Sequence, residues 1–217
     1  MYEMEENFNY RKAISFLRKA ILGLFILFSV ASCKDDDDEA WNKQNHDDNE
    51  FMKLMHAMMD TMHSKKMTND PDNDFAMMMK EHHKGAINMA NLELEKGKDS
   101  TLHQLARKMN MEQQKEIAQM DSFLKAHPPV TVDSMFHHNS SMAMEMMSRN
   151  ADLQFINGNA DHDFAMLMIQ HHHGAIDMAD LEIHHGKSTK LKSIAEKIKK
   201  DQKEEIKKLQ EWLLKDD

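Results

Sequence analysis

Residues 74–90 read DFAMMMKEHHKGAINMA, and residues 163–179 read DFAMLMIQHHHGAIDMA. The offset of 89 residues holds without a gap as far as positions 124 and 213. Of the 51 paired positions 23 are identical, so one unit is written twice and its copies can be compared. Both copies keep Met77/Met166, Met79/Met168, the pairs His82-His83 and His171-His172, Gly85/Gly174 and Met89/Met178. These are thioethers and imidazoles, which an apolar core does not require.

Each copy reads as two helices. The first is expected from 72 or 73 to 96, entered through Asn69-Asp70-Pro71-Asp72, which is turn and N-cap chemistry, and ended by Gly97 as a C′ residue. The second starts at Asp99 or Ser100 and stops near 126, before His127-Pro128-Pro129. Leu102, Leu105, Met109, Ile117, Met120 and Leu124 keep helical spacing along it. The second copy repeats the plan: a helix over 161–185, Gly186, then a last helix from Ser188 or Thr189 carrying Leu191, Ile194, Ile198, Ile206, Leu209 and Leu213. No strand-like alternation persists. An αα-hairpin cannot bury its apolar face alone, so two should dock as an all-α four-helix bundle about a pseudo-twofold axis. Two further Met-rich segments, 50–66 and 133–149, read as short helices or ordering loops that align only loosely with each other.

The chain ahead of the repeat reads as an export signal and tether. Arg11, Lys12, Arg18 and Lys19 precede an apolar run over 20–30, too short to span a bilayer comfortably, which ends in Val30-Ala31-Ser32-Cys33. This resembles a lipobox, with Cys33 as the lipidated residue, and residues 35–39 (DDDDE) form a solvated acidic tether. The expected organisation is a lipoprotein signal over 1–32, the tether over 33–48, a Met/His-rich helical segment over 49–72 and the bundle over 73–215. Within the bundle the repeats are 73–127 and 161–215 and the crossover is 128–160. The location this implies is the outer membrane, facing either the periplasm or the cell surface, with a lipid anchor as the membrane contact.

Without residues 1–32 the chain keeps 24 basic and 34 acidic residues, a net charge of −10, which argues against nucleic acid as a partner. The single cysteine goes to the anchor, leaving neither disulfide nor thiolate site. Of 23 Met and 15 His in the chain, all the His and all but two Met lie beyond residue 32.

Residues three and four apart share a helical face, so Met78/Met79, His82, Gly85/Ala86 and Met89 form one stripe, matched by Leu167/Met168, His171, Gly174/Ala175 and Met178. Glycine in mid-helix costs about 1 kcal/mol against alanine. Its repetition predicts a close approach of two backbones, or of a backbone and a bulky ring. Thioether is soft and imidazole borderline, so the set favours Cu(I) and, by the same softness, Ag(I). It lacks the oxygens that Mg²⁺ and Ca²⁺ want and the thiolates of structural zinc. The ligands expected are Met79, His82, His83 and Met89 with Met168, His171, His172 and Met178. The bland alternative is that a Met stripe is core filler, and more than half of the Met beyond the lipobox are expected to pack or lie exposed. The i, i+4 pairs Met52/His56, Met55/Met59, Met59/His63, Met135/Asn139 and Met142/Met146, with His137-His138, mark weaker additional sites or an amphipathic cover. A di-iron oxidase would need Glu-x-x-His on two helices; Glu182-x-x-His185 faces Glu93-x-x-Lys96, so the motif is not doubled.

The doubled D-F-A-M-x-M-x-x-H-H-x-G-A-x-x-M-A motif resembles the domain of unknown function 305 family of ferritin-like bundles, found in exported bacterial proteins. The trailing helix fits, with Gln113-x-x-Glu116-Ile117 echoed by Gln202-x-x-Glu205-Ile206. The resemblance covers about residues 73–214 and implies a ferritin-like fold. A cyanobacterial periplasmic member is associated with copper binding and resistance. The chain is thus expected to bind soft metal for sequestration, resistance or handover, without turnover, with a handover protein or a second copy as possible partner. The alternatives are a ferritin-like metalloenzyme oxidising Cu(I) or iron, and a metal-free envelope interaction module. Lys84 against His173 and Met78 against Leu167 break the strict doubling of the two half-sites.

Overall fold

Every helix begins where a side-chain oxygen takes up a backbone N–H that the helix itself leaves unpaired. A computed structural model describes residues 45–216. Beyond a short 3₁₀ turn, His46–Asp48, six helices follow: α1 Glu50–His63, α2 Pro71–Lys96, α3 Ser100–Ala126, α4 Ser134–Asp152, α5 Ala160–His185 and α6 Thr189–Asp216. Asn49, Asp70, Asp99, Asp133 and Asn159 cap the first five, and Ser188 Oγ accepts from the Leu191 N–H at the start of the sixth. Helix α2 starts slightly earlier than expected because Asp70 is the cap and Pro71 occupies N1, where its missing N–H costs nothing. No strand occurs among the described residues. None of their helices is long and apolar enough to cross a membrane. The expected leader, Cys33 and most of the tether lie outside the described residues.

The hairpins α2–α3 and α5–α6 are formed as expected, and α2 packs on α5. The segments read as short helices or ordering loops are a third pair of helices: α1 packs on α2, α4 on α5, and α1 meets α4. The helices therefore lie in three layers, with α2 and α5 in the middle, α3 and α6 on one side and α1 and α4 on the other. The 89-residue offset carries back through these segments, matching Met55 to Met144 and Met58 to Met147. It also matches Asn69 to Gly158, the two described residues with left-handed backbone, φ 66° and 85°. Asp74 accepts from Thr68 N and Oγ1 and Asn69 N; its counterpart Asp163 accepts from Asn157 N, Gly158 N and Asn49 Nδ2. The repeat is a three-helix unit. The crossover is α4 with its two connecting segments.

The copies hold each other by their ends. Asp161, at the start of α5, accepts from the N–H groups of Lys98 and Asp99 in the turn before α3. Asp72, at the start of α2, does the same for Lys187 and Ser188 before α6. The glycines of these turns differ from expectation. Gly97 and Gly186 have φ of −65° and −56°, ordinary for any residue. A Cβ there would lie 2.2 and 2.3 Å from carboxylate oxygens of Glu93 and Glu182, both fully buried. These glycines make room for a buried acid and do not reverse the chain through left-handed space.

Asp70 also fixes the connection into α4, its Oδ2 accepting from Val130 N, Thr131 N and Thr131 Oγ1. Burial alone would raise this carboxyl; the hydrogen bonds from Thr131, Val130 and Asn73 outweigh it and hold it well below the usual carboxylate range.

Candidate metal centre

Because α2 and α5 are covered on both sides, two adjacent residues on one helix can both be fully buried. His82, His83, His171 and His172 are all at 0% exposure. The histidines expected as ligands divide here between two faces. His82 turns to the other copy: its ring lies 3.6 Å, centre to centre, from that of His171, tilted by 38°. His83 turns to its own hairpin partner, where its Nε2–H donates to Glu116 Oε2 at 2.9 Å; His172 does the same to Glu205 Oε2 at 3.0 Å. Within each pair the ring centres are 6.3 Å apart for His82-His83 and 5.9 Å for His171-His172. The equivalent residues of the two copies thus meet at His82 and His171.

The acceptors assign the ring protons. His171 Nε2–H donates to the His82 carbonyl oxygen at 3.0 Å, and His82 Nε2 lies 3.2 Å from Met147 Sδ. With Nε2 engaged on all four rings, all four Nδ1 atoms are buried without a partner. Burial, followed by the neighbouring imidazoles His171, His83 and His172, pushes His82 well below the usual histidine range; burial and then His172 do the same for His171. Both rings are therefore neutral at ordinary pH, with an unprotonated nitrogen in the core.

Beyond the rings lies a duplicated charge clip. Lys197 Nζ reaches Glu116 Oε1 at 2.9 Å from the other copy, and Lys108 Nζ reaches Glu205 Oε1 at 3.3 Å. Burial would raise both glutamates, but His83 and Lys197 for Glu116, and His172 and Lys108 for Glu205, bring them below the usual range. A carboxylate on the far nitrogen of a histidine fixes its tautomer and ring orientation, as behind many metal-ligating histidines. Gln113 and Gln202, one turn earlier, are buried with side-chain atoms lacking partners.

The repeated mid-helix glycines have their explanation at this centre. A Cβ on Gly85 would lie 2.3 Å from Met58 Sδ, and one on Gly174 2.2 Å from Met147 Sδ. The close approach expected of a backbone or ring is made by methionine side chains of α1 and α4. Met79, Met89 and Met168 are fully buried in the same core, and Met178 borders a small apolar cavity with Met67, Met78, Phe75 and Phe136. The thioether that reaches a ring nitrogen is Met147, which sequence reasoning missed along with Met58, Glu116 and Glu205 as parts of the site. For Met58 and Met147 the signal was the 89-residue register followed backwards into α1 and α4; for Glu116 and Glu205 it was their recurrence in the trailing helices.

The weaker candidates disperse. Met52, Met55 and Met59 are core residues; His56 bonds Asp152 at 2.8 Å, and Met135, Met142 and Met146 are exposed. His185 bonds Asp133, and Glu182 lies buried beside Asp72. Among the described residues no group of three or more His, Cys, Asp or Glu side chains is placed to hold an ion. The donors that do gather are imidazole and thioether.

Comparison with known proteins gave no match among curated sequences. Solved structures do match. CopM in an Ag-bound form is 27% identical with a TM-score of 0.51 over 66% of this chain and 95% of CopM. Its Cu(I)-bound form gives 26%, 0.51, 66% and 96%, and a Cu(II)-bound form is also known. A DUF305 fragment from Deinococcus radiodurans, 24% identical with a TM-score of 0.50 over 67% of this chain and 96% of the fragment, shares the fold. The family described as Domain of unknown function (DUF305) matches residues 30–124 and again 72–213. With an all-helical fold like that of CopM and the family pattern spanning most of its length, the chain belongs to the DUF305 family.

Proposed function

We propose that this chain binds a soft monovalent ion, Cu(I) or Ag(I), at the consecutive pairs His82-His83 and His171-His172, and that it sequesters the ion or hands it on at the cell envelope. The observation that carries this reading is the set of four buried imidazoles whose Nδ1 atoms have no partner. A buried polar atom left unsatisfied costs about 1–3 kcal/mol, and an ion taken up by those lone pairs returns that loss. Within each pair the ring centres lie 6.3 and 5.9 Å apart, near enough for both imidazoles to contribute to one site. Met79 and Met168, one turn before the histidines, supply soft sulfur. CopM, which has been solved with silver and with copper, is a relative that supports the reading. Softness of the donors is the reason for preferring the monovalent ion. The envelope location rests on the leader and Cys33; the mass of the mature N-terminus tests it.

The test is anaerobic titration of the full chain with Cu(I) against a colorimetric chelator. Wild type is expected to withdraw Cu(I) from the chelator and the H82Q/H83Q/H171Q/H172Q variant to withdraw measurably less. Equal uptake by both overturns the reading. Consumption of O₂ with multiple turnovers of Cu(I) or Fe(II) moves the assignment to an oxidase.

A further inference from the structure

A second collection of soft donors lies away from the buried histidines. Where the end of α1 passes α4, an open pocket of about 410 Å³ is lined by Met62, His63, Met67, His137 and Met144. His63 is exposed, Met62 and Met144 are buried, and the Nδ1 of His137 is buried without a partner. Three thioethers and two imidazoles thus border one solvent-reachable space, whereas the His82–His171 centre is sealed.

The pseudo-twofold axis supplies a control for the fold. Moved by 89 residues, Met62, His63, Met67 and His137 become Ala151, Asp152, Ile156 and Asp48; only Met144 keeps its sulfur, as Met55. The corresponding corner of the second copy, with Asp48 in the 3₁₀ turn, forms with four of the five donors replaced, so the repeat's fold does not require this donor set. Lys65 is the cation that borders the pocket, and it is paired with Glu81 at 3.3 Å. Its charge is therefore partly cancelled locally.

We propose that this pocket is a second, solvent-facing site for a soft monovalent ion, distinct from the buried histidine pairs, with Met62, His63, Met67, His137 and Met144 as its donors. Met67 also borders the small internal cavity that holds Met78 and Met178, which makes it the sulfur shared between surface and core.

The test uses Ag(I), which needs no protection from oxidation, on the full chain with NMR of methionine methyls and histidine rings. Silver is expected to move the Met62, Met67 and Met144 methyls and the His63 and His137 rings, both in wild type and in H82Q/H171Q. The H63N/M67I variant, whose Ile is the residue the second copy carries, is expected to lose one silver ion per chain while the core histidines still respond. The proposal fails if pocket signals stay in place through silver saturation, or if H63N/M67I keeps the wild-type stoichiometry. Core silence with pocket response refutes only the core reading.

Discussion

Met147 occupies a position that ties steric fit to ligand chemistry. Its sulfur rests on Gly174 and lies 3.2 Å from His82 Nε2, so one side chain both fills a helix–helix gap and, by accepting from that Nε2–H, leaves the His82 Nδ1 lone pair free for an ion. The two roles separate by substitution. Met147→Leu conserves volume, and such exchanges usually cost less than about 1.5 kcal/mol. It is expected to melt close to wild type while binding Ag(I) more weakly. Gly174→Ala places a methyl where the sulfur now sits and forces Met147 outward. Overpacking of this kind costs about 1–3 kcal/mol, and silver affinity should fall with it. Differential scanning calorimetry and silver titration of the two variants decide the matter: if the leucine variant binds like wild type, the thioether is packing alone.

At the scale of the helix, the ends of α2 and α5 carry a proton-dependent joint. No N–H or O–H reaches either carboxyl oxygen of the buried Glu93 or Glu182. The neighbours they meet are the Asp161 and Asp72 carboxylates of the other copy, so a proton on the glutamate is what makes each contact a hydrogen bond. Burial first, then Asp161 and Asp99, raise Glu93 to about 8. Burial first, then Asp72, with Asp70 adding and Lys192 opposing, raise Glu182 to about 9. Both folded values lie above the unfolded one of 4.5. Their stabilisation is therefore complete below that value and is lost as pH climbs through the folded ones. Asp70 acts with the opposite sign in a separate window, since its depressed value makes stability fall only as acid protonates it. Melting temperature is expected to decline from pH 6 to pH 9 in wild type and to flatten in E93Q/E182Q, where an amide replaces the protonated acid. A variant that keeps the wild-type slope assigns the decline to other groups. These glutamates also show where sequence reading stops. The recurrence of Glu93 and Glu182 was visible, and so was the glycine four residues after each. That the glycine serves the carboxylate became apparent only once φ proved ordinary and the Cβ position proved occupied. Capping, by contrast, was legible, because Asp70, Asp99 and Pro71 act within their own turn.

For the whole molecule, the legible part was the hairpin and its doubling; the third layer was not. Copies of α1 and α4 diverged at nearly every position, as at His63/Asp152, and kept identity only at Met55/Met144 and Met58/Met147, all four of them buried. Two matches in a helix are too few to align by eye, yet one of them, Met58/Met147, is the pair that packs on the central glycines. The direction of His83 was likewise hidden, because a periodicity argument gives an angle between neighbours and says nothing of how many faces are covered. The consequence is a centre walled by all three layers, with both copies contributing, so the assembled site exists only in the folded state and binds more tightly than the scattered donors of the unfolded chain. Linkage then fixes the size of the effect: free ligand at 100 times its dissociation constant stabilises by about 2.7 kcal/mol. For a domain of this size each kcal/mol moves the midpoint by about 2–4 °C, which gives a rise of roughly 5–11 °C. Ag(I) should produce that rise in the wild-type chain, growing with the logarithm of free ion, whereas Mg²⁺, which wants oxygen ligands, should leave the midpoint in place. H82Q/H83Q/H171Q/H172Q should lose most of the silver response and keep only what the surface pocket supplies. A full silver-induced rise in that variant would mean that the buried imidazoles are not where the ion is held.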